Sequence, residues 1–323
     1  MEKSKTIKAR KKFDFTKYMA LVALIILVII ITALNPQFIA PNNLLNLLRQ
    51  ASVNALIAFG MTFVILTSGI DLSVGSILAF TGAIMASLVV GGTPAWLAGL
   101  IGLGIGALLG ALNGVFITWG KVTPFIATLA TMTIWRGATY VFTGGNPITG
   151  GKMNTSFFFQ FIGQGYLFGI PFPVIITLIA FIICFILLHK TAFGRKTFAL
   201  GGNEKAAFIA GVKTKKMLII IYTLSGLFAA LAGFILTSRL GSAQPDAGMS
   251  YEMDAIASTV IGGASLMGGK GRMAGTLVGA LLIASLSNGM NLLGINSFYQ
   301  QIVKGVVILI AVMIDSQTQK NRE

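Results

Sequence analysis

Three acidic residues lie at the ends of long apolar stretches, where an ionisable side chain is costly and is therefore a candidate for function. Asp71 lies in the turn TSGIDLSVGS, and Glu252 and Asp254 begin a later apolar stretch. A carboxylate at such a position can stabilise the N-terminus of a helix. It can also line the path of a polar substrate or contact a partner protein, and both interpretations stay open.

Residue patterns typical of enzymes and metal sites are missing from the sequence. The single cysteine, Cys184, excludes an intramolecular disulfide, and the single histidine, His189, excludes a zinc site built on a histidine pair. The segment ASLMGGKGR at 264–272 lacks the glycine and the Ser/Thr that a phosphate-binding loop needs. We therefore expect no enzymatic activity, no ATP site, no metal ion and no cofactor in this chain.

The polar segment 190–216 predicts a short helix with defined ends. Asn203 suits an N-cap, Glu204 suits the first turn, and Gly211 suits the residue that ends a helix. Isolated helices shorter than about 12–15 residues are marginal in water, so other contacts must hold this one. Its apolar members either pack on the rest of the chain or dock a soluble partner. These members are Ala206, Ala207, Phe208 and Ala210.

The composition indicates a membrane protein. Of 323 residues, 55% are apolar and only 10% are charged, and the mean hydropathy is +0.86. Soluble domains carry about 25% charged residues, so a lipid bilayer must solvate much of this chain. The net charge of +15 could also suggest a nucleic-acid partner, and the positions of the basic residues have to decide.

Ten apolar stretches predict an all-α, polytopic membrane helical bundle. They cover residues 18–34, 51–69, 72–90, 95–117, 123–142, 172–189, 217–238, 251–267, 274–293 and 297–314. With ten spans, the basic segments 1–17, 190–216 and 270–272 and the C-terminus share one side. This side is the cytoplasm by the positive-inside rule, which excludes a nucleic-acid partner.

The first and eighth stretches allow more than one interpretation. Residues 18–34 favour a retained span over a cleaved signal peptide. Residues 251–267 carry two acids and end in GGASLMGG, so this span is expected to be short, broken or re-entrant. The sequence therefore divides into a basic cytoplasmic tail (1–17), one transmembrane domain (18–314) and a cytoplasmic C-terminal tail (315–323).

Glycines recur at every fourth residue in two places. Such spacing lets helix backbones approach closely, which favours tight packing in a membrane. The packing partner can be another helix of this chain or a second copy of it. The two sets are Gly102, Gly106, Gly110 and Gly114, and Gly271, Gly275 and Gly279.

Several long segments resemble permeases of bacterial ATP-binding-cassette importers. EKAAFIAG, at 204–211, is similar to the E-A-A…G pattern of their cytoplasmic coupling helix, with Lys205 at the first alanine position. Four further stretches resemble the ribose-type branch, which also includes xylose and galactose permeases. They are GMTFVILTSGIDLSVGS (60–76), TPFIATLATMTIWRG (123–137), SRLGSAQPDAGMSYEMDAIASTVIGGASLMGGKGR (238–272) and NGMNLLGINSFYQQIVKGVVILIAV (288–312). The chain is identified as a member of that family, and it departs from the pattern chiefly at the termini and in the loop 150–170.

The resemblance implies a transport subunit of the bacterial cytoplasmic membrane. Two copies would form a homodimer and bind a separate ATPase, which holds ATP and Mg. An extracytoplasmic binding protein would deliver the sugar, most like D-ribose, and ATPase closure would drive alternating access. The residues expected at the ATPase docking site are Gly201, Gly202, Asn203, Glu204, Lys205, Ala206, Ala207 and Gly211.

The resemblance also implies that the outer segments 143–170 and 239–254 face the binding protein. This adds Arg239 and Gln244 to Asp71, Glu252 and Asp254 as candidate pathway or binding-protein contacts. The competing hypothesis is an ion-coupled secondary sugar transporter that uses these three acids. Such a transporter usually places its acids near mid-membrane, whereas these lie at the ends of the predicted spans. The sequence does not select the side chains that line the sugar path.

Overall fold

A computed structural model of the protein describes residues 19–320, with side chains up to residue 313. The predicted N-terminal tail 1–17 lies outside this part of the chain. Helices occur at all ten predicted apolar stretches, and three more lie between them. The helices are α1 Met19–Leu34, α2 Pro41–Leu66, α3 Val74–Val90, α4 Ala95–Thr118, α5 Pro124–Thr143, α6 Phe157–Gln164, α7 Phe172–Lys190, α8 Ala192–Gly202, α9 Glu204–Ile209, α10 Thr214–Leu240, α11 Tyr251–Ile261, α12 Met273–Leu292 and α13 Ser297–Lys320.

The helical bundle carries two short antiparallel strand pairs, both in the loops predicted to be extracytoplasmic. Ile148–Thr149 (β1) pairs with Ser242–Ala243 (β4), and Tyr166–Leu167 (β2) pairs with Ile170–Pro171 (β3). The first pair ties the loop after α5 to the loop after α10. Among the described residues, five helices are long and apolar enough to cross a bilayer: α2, α4, α7, α10 and α12.

Helix α2 forms the centre of the bundle. From Ala51 to Leu66 every residue is buried except Asn54, which is half-buried. Helices α7, α10, α11 and α12 surround this segment. A helix that is apolar on all sides is typically buried, and α2 follows that rule.

The glycine series of α4 packs against other helices of the same chain. A methyl group in place of the Gly110 hydrogen would overlap the Tyr222 carbonyl oxygen of α10, and at Gly114 it would lie 2.6 Å from the Ile219 Cα atom. At Gly106 the added carbon would lie 2.7 Å from the Gly226 carbonyl oxygen, while Gly102 faces Met85 of α3. The predicted close approach is therefore made within one chain for this series.

The second glycine series is only partly a helix surface. Gly279 of α12 lies against the backbone of Ser258 in the last turn of α11, and Gly275 lies against the backbone of Gly262, which directly follows α11. Gly271 precedes α12, which begins at Met273, so its assignment to the same helical ridge is wrong. The period of four continues through Gly271 in the sequence, but the chain there is a loop that packs on Ala264 and Leu66.

Helices α3 and α11 begin inside the bundle, and both are shorter than the five long helices. Helix α11 has 11 residues, roughly 16 Å of helix, against about 30 Å of hydrocarbon. This agrees with the expectation that residues 251–267 are not a complete span. Helix α3 starts beside it, because Gly75 contacts the carbonyl oxygen of Gly248, just before α11.

Candidate functional site

The predicted cytoplasmic helix exists, and the predicted residues define its ends. Asn203 has an extended backbone, and its Oδ1 accepts a hydrogen bond from the Ala206 N–H at 2.9 Å. Glu204 occupies the first turn. Beyond Ile209 the chain turns at Gly211, whose φ of +84° favours glycine. Helix α9 is thus a capped helix of 6 residues.

Helix α9 buries one side and exposes its bulkiest residues. Ala207 is 4% exposed, whereas Phe208 is 68% and Ile209 is 84% exposed. The sequence left open whether the apolar members of this helix pack on the chain or dock a partner. The structure buries Ala207 and leaves Phe208 uncovered, because a helix this short can bury only one side, and adjacent residues face different directions. Phe208 and Ile209 border a groove with Glu204, Lys205 and Thr214. We call Glu204, Lys205, Phe208 and Ile209 the α9 surface.

The α9 surface has the chemistry of a protein docking site. Two large apolar side chains are surrounded by charged ones, and Lys213, Lys215 and Lys216 lie exposed immediately after it. An apolar centre with a charged rim is typical of protein interfaces.

The resemblance places Gly201 and Gly202 in the ATPase docking site with the short helix, but in the structure they form the end of α8. Gly202 is exposed with no atom near its missing side chain, whereas Gly201 packs on the backbone of Leu66 and Gly269. Gly201 therefore faces the bundle and is not part of the α9 surface. Two adjacent glycines look equivalent in the sequence, and only the neighbouring elements distinguish them.

Asp71 lies deep in the bundle, although its sequence position suggested the end of a span. It is fully buried, and Ser225, which contacts it, is near the middle of α10. Its Oδ1 accepts hydrogen bonds from the Ser73 N–H at 3.0 Å and the Ser73 hydroxyl at 2.6 Å. Its Oδ2 accepts one from the Ser225 hydroxyl at 2.7 Å. The Ser73 hydroxyl in turn accepts from the Asn113 side-chain amide at 2.8 Å.

These contacts favour the structural interpretation of Asp71. The carboxylate holds the turn between α2 and α3 and ties it to α10, while Asn113 adds α4. Ser73 is the N-cap position of α3, and its side chain makes no capping bond to that helix. Asp71 thus stabilises the turn that precedes α3 and does not cap this helix directly.

Glu252 and Asp254 are two residues apart but have different surroundings. Asp254 is buried and forms an ion pair with Lys304 of α13, with a Nζ–Oδ2 distance of 2.8 Å. Glu252 is half-buried, and its Oε2 lies beside Gly75 at the start of α3. Arg136 of α5, which interacts electrostatically with Glu252, donates hydrogen bonds to the carbonyl oxygens of Pro245 and Ala247 at 2.8 Å. Glu252 is thus the more accessible of the two acids.

Arg239 and Gln244 are the two other candidate contacts. The Gln244 side-chain amide donates to the Ser242 hydroxyl at 2.9 Å. Arg239 lines a cavity of about 310 Å³ at the predicted outer ends of α2, α10 and α12. The sequence did not select the other lining residues, which are Asn43, Asn46, Arg49, Gln50, Asn288, Asn291 and Leu292. The i, i+3 spacing of the asparagines places each pair on one helix face and was a usable signal.

Among the residues that the structure describes, no group of three or more His, Cys, Asp or Glu side chains could hold a metal ion. His189 has a different contact, because its Nε2 accepts a hydrogen bond from the Met273 N–H at 3.3 Å. It thereby links the end of α7 to the start of α12.

Comparison with known proteins adds family relationships to this geometry. Residues 43–312 match the family described as "Branched-chain amino acid transport system / permease component". The chain is similar to a ribose import permease of Bacillus subtilis (strain 168), with 58% identity over 97% of this chain and 98% of the relative. A ribose import permease of Haemophilus influenzae is 54% identical over 91% of each chain. A D-allose transport system permease of Escherichia coli (strain K12) is 41% identical over 96% of each chain. No solved structure matches the sequence.

Proposed function

Because the chain belongs to the family of branched-chain amino acid transport system permease components, we propose that it is the membrane permease of an ATP-binding-cassette importer for D-ribose. The sugar class comes from relatives named as ribose import permeases, which share 58% and 54% of their residues with it. The protein is a multi-pass protein of the bacterial inner membrane, and its role is transport and not catalysis.

The observation that carries this proposal is the α9 surface. Phe208 and Ile209 are two adjacent large apolar side chains that are 68% and 84% exposed, and they lie on the predicted cytoplasmic side. The segment EKAAFIAG in this surface resembles the coupling helix of ATP-binding-cassette permeases. The partner in this proposal is therefore an ATPase subunit, which would hold ATP and Mg.

In this mechanism ATP binding closes the ATPase, and α9 transmits the movement to the bundle. Alternating access then moves the sugar from an extracytoplasmic binding protein to the cytoplasm. The polar cavity that contains Arg239 would face that binding protein. A second copy of the chain completes the homodimeric permease, and lipid covers the remaining apolar surface.

The contacts of the interior acids weigh against an ion-coupled secondary transporter. Asp71 accepts three hydrogen bonds from serine groups, and Asp254 is bound to Lys304. Neither carboxylate is left open to take up and release a cation in this arrangement. Glu252 is half-buried beside Arg136 and remains the one acid of the three that such a transporter would use.

Reconstitution in proteoliposomes tests the proposal. We expect ribose uptake only when the ATPase, the binding protein and ATP on the cytoplasmic side are all present, because the permease holds no energy source. A non-hydrolysable ATP analogue serves as the control and should give no sustained uptake. Ribose accumulation driven by a proton or sodium gradient without ATP would contradict the ATP-driven importer.

A further inference from the structure

Gly201 makes a very close backbone contact between the cytoplasmic helices and the bundle. A Cβ atom at this position would overlap the carbonyl oxygen of Leu66, the last residue of α2, and would lie 2.6 Å from the Gly269 nitrogen. That nitrogen donates a hydrogen bond to the same Leu66 oxygen at 3.0 Å. The end of α8 is thus pressed against the end of α2 and the loop between α11 and α12.

A second contact joins that loop to the turn after α2. The Ser68 hydroxyl donates to the Met267 carbonyl oxygen at 2.7 Å. Gly268 and Gly269 have φ values of +83° and +70°, a conformation that glycine adopts without strain. We call Leu66, Ser68, Gly201, Gly268 and Gly269 the glycine junction.

The glycine junction lies on the route to both short interior helices. On one side, the turn after Leu66 leads through Asp71 to α3. On the other side, the loop at 262–272 directly follows α11. Helices α3 and α11 meet at their own N-termini through Gly75 and Gly248. Because Gly201 meets Leu66 and Gly269 through backbone atoms, a displacement of α8 cannot be absorbed by a side-chain rotation at that contact.

We propose that the glycine junction transmits the movement of α8 and α9 to α3 and α11 during the transport cycle, with Gly201 as the positioning residue. This inference rests on the proposed function, since it requires an ATPase docked on α9. It assigns two different roles to the segment 201–211, which the resemblance treats as one docking site. The α9 surface binds the partner, and the junction converts the partner's movement into a rearrangement of the interior helices.

The test compares Gly201→Ala with Gly202→Ala in the complete complex of permease, ATPase and binding protein. The two residues are adjacent on α8, but an added methyl group meets backbone atoms only at Gly201 and open space at Gly202. The measured quantities are ATPase co-purification, ATP hydrolysis and ribose uptake in proteoliposomes. We expect Gly201→Ala to retain the ATPase and to raise the ATP hydrolysed per ribose by a factor of about 2 to 30, the range for substitutions in coupling networks. Gly202→Ala should match the unmodified protein.

A purely structural role of Gly201 would lower hydrolysis and uptake together and leave their ratio unchanged, and that result would overturn the proposal. Loss of ATPase co-purification in Gly201→Ala would also overturn it, because Gly201 would then be a docking residue. If Gly201→Ala does not reach the membrane, Ser68→Gly decides the matter. This variant removes the hydrogen bond to Met267 without straining a residue whose φ is +61°, and it should raise the ratio too.

Failure of the junction and failure of the proposed function give different results. If the unmodified complex does not import ribose with ATP, the proposed function itself fails, and the junction proposal fails with it. If the unmodified complex imports ribose and Gly201→Ala, or Ser68→Gly in its place, keeps the ratio of ATP to ribose, only the junction is refuted.

Discussion

Helix α9 and the seam between α4 and α10 both bury small residues, but they differ in what lies against their surface. In the seam, Gly106 and Gly110 let the backbone of α10 come so close that no side chain fits between them. In α9, small Ala207 is the buried residue, and bulky Phe208 and Ile209 are left uncovered. The seam is completed within one chain, whereas in the proposed function the ATPase completes the α9 surface.

This difference separates folding from assembly. Substitutions in the seam should change the free energy of unfolding, because its contacts exist in the isolated chain. Substitutions on the α9 surface should leave unfolding unchanged and weaken binding of the ATPase. The variants below change either the seam or the α9 surface.

The largest effect is expected for Gly110→Leu in the seam. The new Cβ atom would overlap the Tyr222 carbonyl oxygen, and a backbone oxygen cannot rotate away. Overpacking typically costs about 1–3 kcal/mol and occasionally more, and we expect the upper end here. The measurement is the thermal unfolding midpoint of the purified permease in detergent.

Gly104→Leu is the matched control for this prediction. Gly104 lies on the same helix, six residues away, is exposed and has no atom within 4 Å of an added Cβ. Leucine there should leave the unfolding midpoint close to that of the unmodified protein. Equal midpoints for the Gly104 and Gly110 variants would show that the seam does not need glycine.

A smaller effect, on binding alone, is expected for Phe208→Ala. Covering this side chain in a complex is worth about 1.5–3 kcal/mol, so the Kd for the ATPase should rise about 10- to 150-fold. The unfolding midpoint should stay constant, since 68% of the side chain is already exposed in the isolated chain.

Phe168→Ala provides the control for Phe208→Ala. Phe168 is 93% exposed in the turn between β2 and β3, on the predicted outer side, so the ATPase affinity should not change. If both variants bind the ATPase as tightly as the unmodified protein, the α9 surface is not the docking site.

Local signals in the sequence predicted local structure well. The ten apolar stretches all contain helices, and Asn203 and Gly211 mark the ends of α9 because caps depend on a residue's own chemistry and its nearest neighbours. The glycine period of α4 was informative for the same reason. Four spaced glycines lie on one face of a helix, whichever element packs against it.

Features that depend on distant elements could not be predicted. Gly201 and Gly202 have identical side chains, and only the position of Leu66 and Gly269 makes one of them indispensable to close packing. The depth of Asp71 depends on Ser225 of α10, 154 positions away in the sequence. The hydrophobicity of Phe208 is visible in the sequence, but whether this side chain packs on the bundle or faces outward depends on the shape of the bundle beneath α9.

The smallest effect is expected for Glu204→Lys, which tests whether charge contributes to the α9 surface. The substitution places a cation in the first turn of α9, where the helix dipole favours an acid by about 0.3–1 kcal/mol. Asn203 still caps the helix, so the fold should persist while the Kd for the ATPase rises by a factor of about 2 to 5.

Because Glu204 is exposed, high salt should reduce this difference, whereas the effect of Phe208→Ala should persist in salt. Glu204→Gln removes the charge without adding a cation and should give an intermediate Kd. Unchanged binding and transport in Glu204→Lys would leave the apolar pair as the sole determinant of docking.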